Sequence, residues 1–368
     1  MKVRIAQHYN DSEIEDSVLS VLRSGHLVSG PMVESFEKAV AEYLGVKNVV
    51  AVNSGTAALH LSFLALDFSK RREVITTPFS FVATANAILQ SGGVPVFVDI
   101  NPETFNIDPQ QVERAVTSRT VAIEPVHVFG EPAELKHLRE IAERHDLRLV
   151  EDAAEAIGAE YEGRKIGDTD ELACFSTYAT KNLHTGEGGF IATNNDEIAA
   201  KLRVMRNQGQ RSKYLHTELG YNYRMTEIAA AIGMPQLKRL DAFIRKRVEN
   251  ANRLTREISD LPMLTPQKAA RNVKHVYYQY TVKLNEDEAG VGREELRERL
   301  LAAGVETDVH WPIPIHLQPL YRDRFGFGPG TFPHAERLAR TVLSLPVHPA
   351  LTEEQIEHVS QSLHEALR

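Results

Sequence analysis

Residues 48–53 read NVVAVN and residues 54–66 read SGTAALHLSFLAL, a short β-branched apolar run followed by a longer helical stretch with Ser54 placed as its N-cap. The same alternation continues down the chain. EVITT (73–77) precedes a helical stretch at 81–90, VPVFVD (94–99) one at 109–116, and residues 121–126 one at 133–145. LRLVE (147–151) closes the series. Five short strands separated by helices predict an α/β fold: a mostly parallel sheet covered on both faces. The pattern then changes. Residues 171–177 and 188–193 lack a long helix between them and read as antiparallel neighbours. Helical stretches follow at 198–207 and 226–238. Composition shifts near residue 245, where 244–258 reads as a separate charged helix. A strand at 276–284 and helices at 293–303 and 335–343 then predict a smaller α+β unit. The expected division is a large domain at 1–244 and a small one at 245–368, with residues 311–333 as the loop-rich part.

The chain has 368 residues, 42% hydrophobic and 25% charged, with a formal charge of −8 from 42 basic and 50 acidic side chains. That balance argues against nucleic-acid binding and against adhesion to an acidic membrane. No apolar run is long enough for a membrane span. The single Cys174 precludes an internal disulfide or a cysteine-built metal centre, and no HExxH is present, so no metal is expected. These features point to a cytoplasmic protein. The Asn10-Asp11-Ser12 sequon reads as accidental.

Ligands of open parallel sheets bind beyond the carboxyl ends of the strands. Four places there carry chemistry. Asn53-Ser54-Gly55-Thr56-Ala57 exposes backbone N–H groups at a helix start, which suits a phosphate but equally an ordinary strand-to-helix cap. Asp152, just after LRLVE, can hold a protonated ring nitrogen, a ribose or a metal, or cap a turn. Lys181 follows Ser176-Thr177-Tyr178-Ala179-Thr180. It is either a solvated loop lysine or an amine set beside an anchored phosphate. Phe79-Ser80-Phe81 offers an aromatic for stacking on a planar ring, or simply core. Together the four supply what pyridoxal phosphate needs: a phosphate cradle, a carboxylate, an aromatic and an imine-forming lysine.

Longer segments carry a resemblance over nearly the whole chain. They are NSGTAALHL (53–61), TTPFSFVATANAI (76–88), PVFVDINPETFNID (95–108), EPVHVFGEPAEL (124–135), EDAAEAIGA (151–159), YATKNLHTGEGG (178–189), GYNYRMTEIAAAIG (220–233) and LSLPVHPAL (343–351). The sequence resembles the DegT/DnrJ/EryC1/StrS family of sugar aminotransferases. The resemblance implies a fold-type I homodimer with active sites shared between subunits. It implies Lys181 as the Schiff-base lysine and Asp152 as partner of the pyridine nitrogen. Phe81 would stack on the ring. Gly55, Thr56, Ala57 and Ser176 would hold the phosphate, with Asn222 arriving from the partner subunit. Glu155 stands where Gln or His is common, near the ring hydroxyl, and needs a partner or a proton. His184 and Thr177 also depart from the pattern.

His184, Glu187, Arg224 and His310 are the candidates for substrate contact. His60, His127 and His145 read as structural, as does Trp311, and the IRKRVEN charges (244–250) read as a solvated helix face. A desolvated site beside a positive ring should lower the pKa of Lys181. The implied reaction moves an amino group from an amino acid, glutamate by family expectation, to a nucleotide-linked keto sugar. The TGEGG run leans toward C4. Alternatives are a cyclitol or antibiotic-precursor ketone as acceptor, or a non-enzymatic regulator. A dehydratase is disfavoured by Lys181 and by the lone cysteine.

Overall fold

The computed structural model describes all residues except 67, 69 and 70. Its centre is a seven-stranded sheet in the order Asn48–Val52, Gly189–Thr193, Leu172–Ser176, Arg148–Asp152, Thr120–Ile123, Glu73–Thr76, Val94–Phe97. Gly189–Thr193 runs antiparallel to both neighbours, and every other pairing is parallel. The expected mixed, mostly parallel sheet is therefore present, including the antiparallel pair after residue 171. Its strands are buried almost throughout, which is why they read as continuous apolar runs.

Two apolar clusters flank the sheet. One gathers Val33, Phe36 and Val40 with Leu138, Phe175 and Leu240; the other gathers Leu59, Leu61 and Phe63 with Val150, Cys174 and Leu202. Helix Pro31–Leu44 is fastened at its start by Glu227, whose carboxylate accepts from the N–H groups of Met32 and Val33, both at 2.9 Å. An anion there meets the positive end of the helix. Asp11 caps helix Ser12–Ser24 by accepting from Ile14 N at 3.1 Å, which gives the sequon's aspartate a structural role.

The sequence reading is corrected in three places. The two helices expected at 226–238 and 244–258 are one, Glu227–Glu257, running through buried Pro235 and through the 244/245 division. The compositional shift there reflects a change in what the helix packs against, not a break in its backbone. The helix expected at 335–343 ends at Thr341, and Val342–Leu345 is a buried strand pairing with Tyr280–Leu284. The loop-rich stretch contains helix Pro319–Phe325, started by Pro319 and ended at Gly326. The sheet Leu264–Pro266, Tyr280–Leu284, Val342–Leu345 carries a third cluster, into which Ala251 and Leu254 of the long helix and Val3 of the N-terminus also pack. Among the described residues no helix is long and apolar enough to cross a membrane.

Candidate active site

Asp152 ends a central strand and pairs in register with Cys174 of the next, so the loop that follows Leu172–Ser176 returns beside it. The carboxyl is buried and held at both oxygens. Thr84 Oγ1 donates to Oδ2 at 2.8 Å and Ala154 N donates to Oδ1 at 3.1 Å. Since the Thr84 proton is committed to Asp152, the Ser80–Thr84 contact at 2.7 Å has Ser80 as donor. Burial pushes the Asp152 carboxyl above its ordinary pKa, while the two hydrogen bonds and Lys181 pull the other way.

Lys181 Nζ lies 3.1 Å from Glu155 Oε1 and 4.1 Å above the centre of the Tyr278 ring. Its side chain is 13% exposed and that of Glu155 10%. The other Glu155 oxygen accepts from Phe129 N at 2.9 Å, so the carboxylate whose partner was in question has two. The expectation for the lysine is reversed. Burial lowers its pKa, but the Glu155 carboxylate and Tyr278 raise it more, and the net direction is upward. A neutral amine is what attacks an aldehyde. Replacing Glu155 by Gln is therefore expected to leave burial dominant and lower the lysine's pKa. Pyridoxal phosphate capture, followed by absorption against pH, should then speed up at lower pH than in the native protein. An unchanged pH profile would show that Glu155 does not govern the amine.

The phosphate-cradle expectation falls on a strained-for-space turn. Ser54 caps helix Gly55–Ala65 by accepting from Ala57 N at 3.0 Å, a bond worth about 1 kcal/mol. Ala57 N is thus used within the turn, while the N–H groups of Gly55 and Thr56 have no acceptor inside the helix. A Cβ on Gly55 would sit 2.8 Å from Ser176 Cβ, so glycine is what lets the helix start approach the strand end that carries Ser176. Ser176 Oγ accepts from Tyr178 N at 3.2 Å. Phe79 is fully buried against Phe129 and Trp311, whereas Phe81 is 59% exposed. Asn222 is exposed, and its carbonyl accepts from Asn53 Nδ2 at 3.3 Å. These residues fit pyridoxal phosphate: a buried carboxyl for a ring nitrogen, an amine, and a backbone cradle that a side chain on Gly55 would fill.

The substrate candidates divide. His184 lines the same cavity as Lys181, meets His8 edge-on at 5.6 Å, and has both ring nitrogens buried without a protein partner. Glu187 is exposed, and its carbonyl accepts from Thr185 Oγ1. Arg224 donates to Asn207 Oδ1 at 2.8 Å, and His310 sits 3.5 Å from Asp308 and edge-on to Phe129. Thr177 is buried, bonded to Thr185. His127 is buried against Glu151, while His145 is a half-exposed partner of Glu113. Sequence reasoning missed Thr84, Tyr278 and the Phe129 N–H. Thr84 could have been noticed as a hydroxyl in the first turn of the helix that follows the strand ending at Thr76. Tyr278 is almost a hundred residues from Lys181 and carried no local signal.

The profile of the DegT/DnrJ/EryC1/StrS aminotransferase family matches residues 8–364. The chain belongs to that family. It is 37% identical to the GDP-perosamine synthase of Caulobacter vibrioides, over 100% of this chain and 98% of the relative. It is 41% identical to a pleiotropic regulatory protein of Geobacillus stearothermophilus, over 95% and 92%. Among solved structures, Streptomyces venezuelae DesV, in complex with a ketimine intermediate, superposes with a TM-score of 0.93 at 38% identity, covering 97% of this chain and 95% of that one. The fold and the aminotransferase class thus agree with the sequence reading. Among the described residues no cluster of three or more metal-binding side chains occurs.

Proposed function

We propose that this family member is a pyridoxal-phosphate-dependent transaminase that moves an amino group from an amino acid, glutamate in the first instance, to a nucleotide-linked keto sugar. The observation that carries the reading is the convergence of Lys181, Glu155 and buried Asp152 beside the Gly55–Ser176 cradle. When bound, the cofactor accepts the amino group and spreads the electron pair released at the reacting carbon. Lys181 would hold it covalently through Nζ and, once displaced by the donor, carry the proton between carbon and cofactor. Asp152 would keep the ring nitrogen protonated. Gly55, Thr56, Ala57 and Ser176 would hold the phosphate, Phe81 would cover the ring, and Glu155 would sit near the ring hydroxyl.

Relatives are named for GDP, dTDP and UDP sugars, which supports the acceptor class without selecting a nucleotide. The C4 preference rests on the Thr185–Gly189 run. Asn222 completing the partner's phosphate site would make the homodimer the active unit. Its exposed side chain, and the exposed Phe81 and Tyr178, are consistent with an interface there. His184, Glu187, Arg224 and His310 remain the proposed substrate contacts, with His184 best placed.

The test is spectroscopic. Purified protein with pyridoxal phosphate should develop a visible band, lose it with glutamate, and recover it with particular nucleotide keto sugars. Parallel 4-keto and 3-keto acceptors assign the ring position. Absence of any band would remove Lys181 from its role and favour the regulator reading.

A further inference from the structure

The charged run IRKRVEN was expected to be a solvated helix face. Arg245 is, but Arg247 is 8% exposed. Burying a guanidinium is costly unless a carboxylate and full hydrogen bonding compensate. Neither is present. Only Nη1 has acceptors among the described residues, the carbonyls of Tyr277 and Tyr278, both at 3.3 Å, and no described carboxylate lies within ion-pair distance. Burial brings the Arg247 pKa down to about 10, opposed by Tyr278, so the group stays cationic at neutral pH.

Arg247 opens on a cavity of about 30 Å³ that is also lined by Lys181, Thr180, Asn182, His184 and Gln236. Both amide atoms of Asn182 and both ring nitrogens of His184 are buried there without protein partners. An unpaired cation and two unsatisfied polar side chains thus face one space beside the reactive amine. The cavity takes a group of a few heavy atoms, whereas a nucleotide needs several hundred Å³. The Glu155 carboxylate would repel an anion, but it is already engaged by Lys181 and Phe129 N.

Resting on the transaminase reading, we propose that Arg247, with Asn182 and His184, forms the subsite for the α-carboxylate of the amino-acid donor. In an α-amino acid that carboxylate is one carbon removed from the nitrogen that replaces Lys181 Nζ, so an anion site in the lysine's own cavity is where it must go. The nucleotide sugar has no carboxylate requirement at this point and would use the open face instead. Arg247 then selects amino acids over simple amines as donors.

Two measurements test this. First, native cofactor-loaded protein is mixed with L-glutamate or with 4-aminobutyrate, which lacks the α-carboxylate. Loss of a buried charge pairing predicts bleaching at least about 100-fold slower with 4-aminobutyrate. Equal rates overturn the subsite. Second, 2-oxoglutarate is titrated calorimetrically into the cofactor-free protein. Arg247→Met should weaken binding at least about 30-fold, and Arg247→Lys should fall between. A folded Arg247→Met protein that binds as the native one does also overturns it, and would leave ordered water as the cavity's occupant. If Arg247→Met does not fold, the lysine variant and the donor comparison still decide. Should the native protein give no visible band, the transaminase reading fails while the calorimetric result still judges the anion site.

Discussion

Lys181→Ala is expected to lower turnover by at least about 10⁴-fold, because one change removes both the covalent anchor and the proton carrier. Few single substitutions remove two roles at once. The geometry makes the loss hard to replace, since Nζ is the only amine placed beside Glu155 and over the Tyr278 ring among the described residues. The measurement is steady-state transamination together with the absorption spectrum. The variant should still bind pyridoxal phosphate through the Gly55–Ser176 cradle, but with the spectrum of the free aldehyde. Added small primary amines should restore a fraction of the rate, because they supply the missing base without the tether. Stability should fall modestly: Glu155 loses one of its two partners but keeps Phe129 N–H, a cost of about 1–3 kcal/mol. Near-normal transamination in this variant would overturn the assignment of the site.

The second large effect is expected at Asp152→Asn. The amide is nearly isosteric and can still accept from Thr84 or from Ala154 N, so the fold and the cofactor's position should survive. What disappears is the negative charge. A ring nitrogen facing a neutral amide has no reason to hold its proton, and the electron sink weakens. A fall in kcat of about 10²–10³-fold is expected, the range seen when one preorganised electrostatic partner is removed. KM for the keto sugar should change little, since the carboxyl is buried and its proposed partner is the cofactor ring, not the sugar. Thr84→Val makes a useful companion. It leaves the charge but strips the hydrogen bond that restrains Asp152, so a smaller loss of kcat in the same direction is expected. If Asp152→Asn leaves kcat intact, the carboxyl serves the fold and not the ring.

Most of the architecture was legible because it is local. The inner strands of the large sheet are buried on both faces and announce themselves as apolar runs, and the crossover helices show either a cap, as at Ser54 and Asp108, or a period, as in Leu135–His145. The proposed cofactor residues could be picked out for a related reason: they lie at or just beyond strand ends, where parallel topology gathers ligand-binding groups regardless of side-chain detail. The errors came where a local signal had two meanings. Residues 226–238 and 244–258 were read as two helices, yet the Glu227–Glu257 helix is continuous, and its packing partners change along its length. The charges of IRKRVEN were read as one solvated face, yet helical rotation turns Arg247 inward while Arg245 stays outside.

The α/β order and the antiparallel insertion follow from the amino-acid order alone, which also singles out Lys181 and Asp152 as the proposed chemical pair. It could do so because spacing and residue type are properties of neighbouring positions. The electrostatic surroundings of that pair come from the folded chain. Glu155 supplies the lysine's counter-ion, Tyr278 comes from almost a hundred residues further along the chain to lie under it, Thr84 restrains the aspartate, and Arg247 is left buried without a carboxylate. These are sums of burial and distance over residues far apart in sequence. For Lys181 desolvation opposes the Glu155 ion pair, and for Asp152 it opposes the Thr84 and Ala154 hydrogen bonds; either balance exists only once the chain is folded.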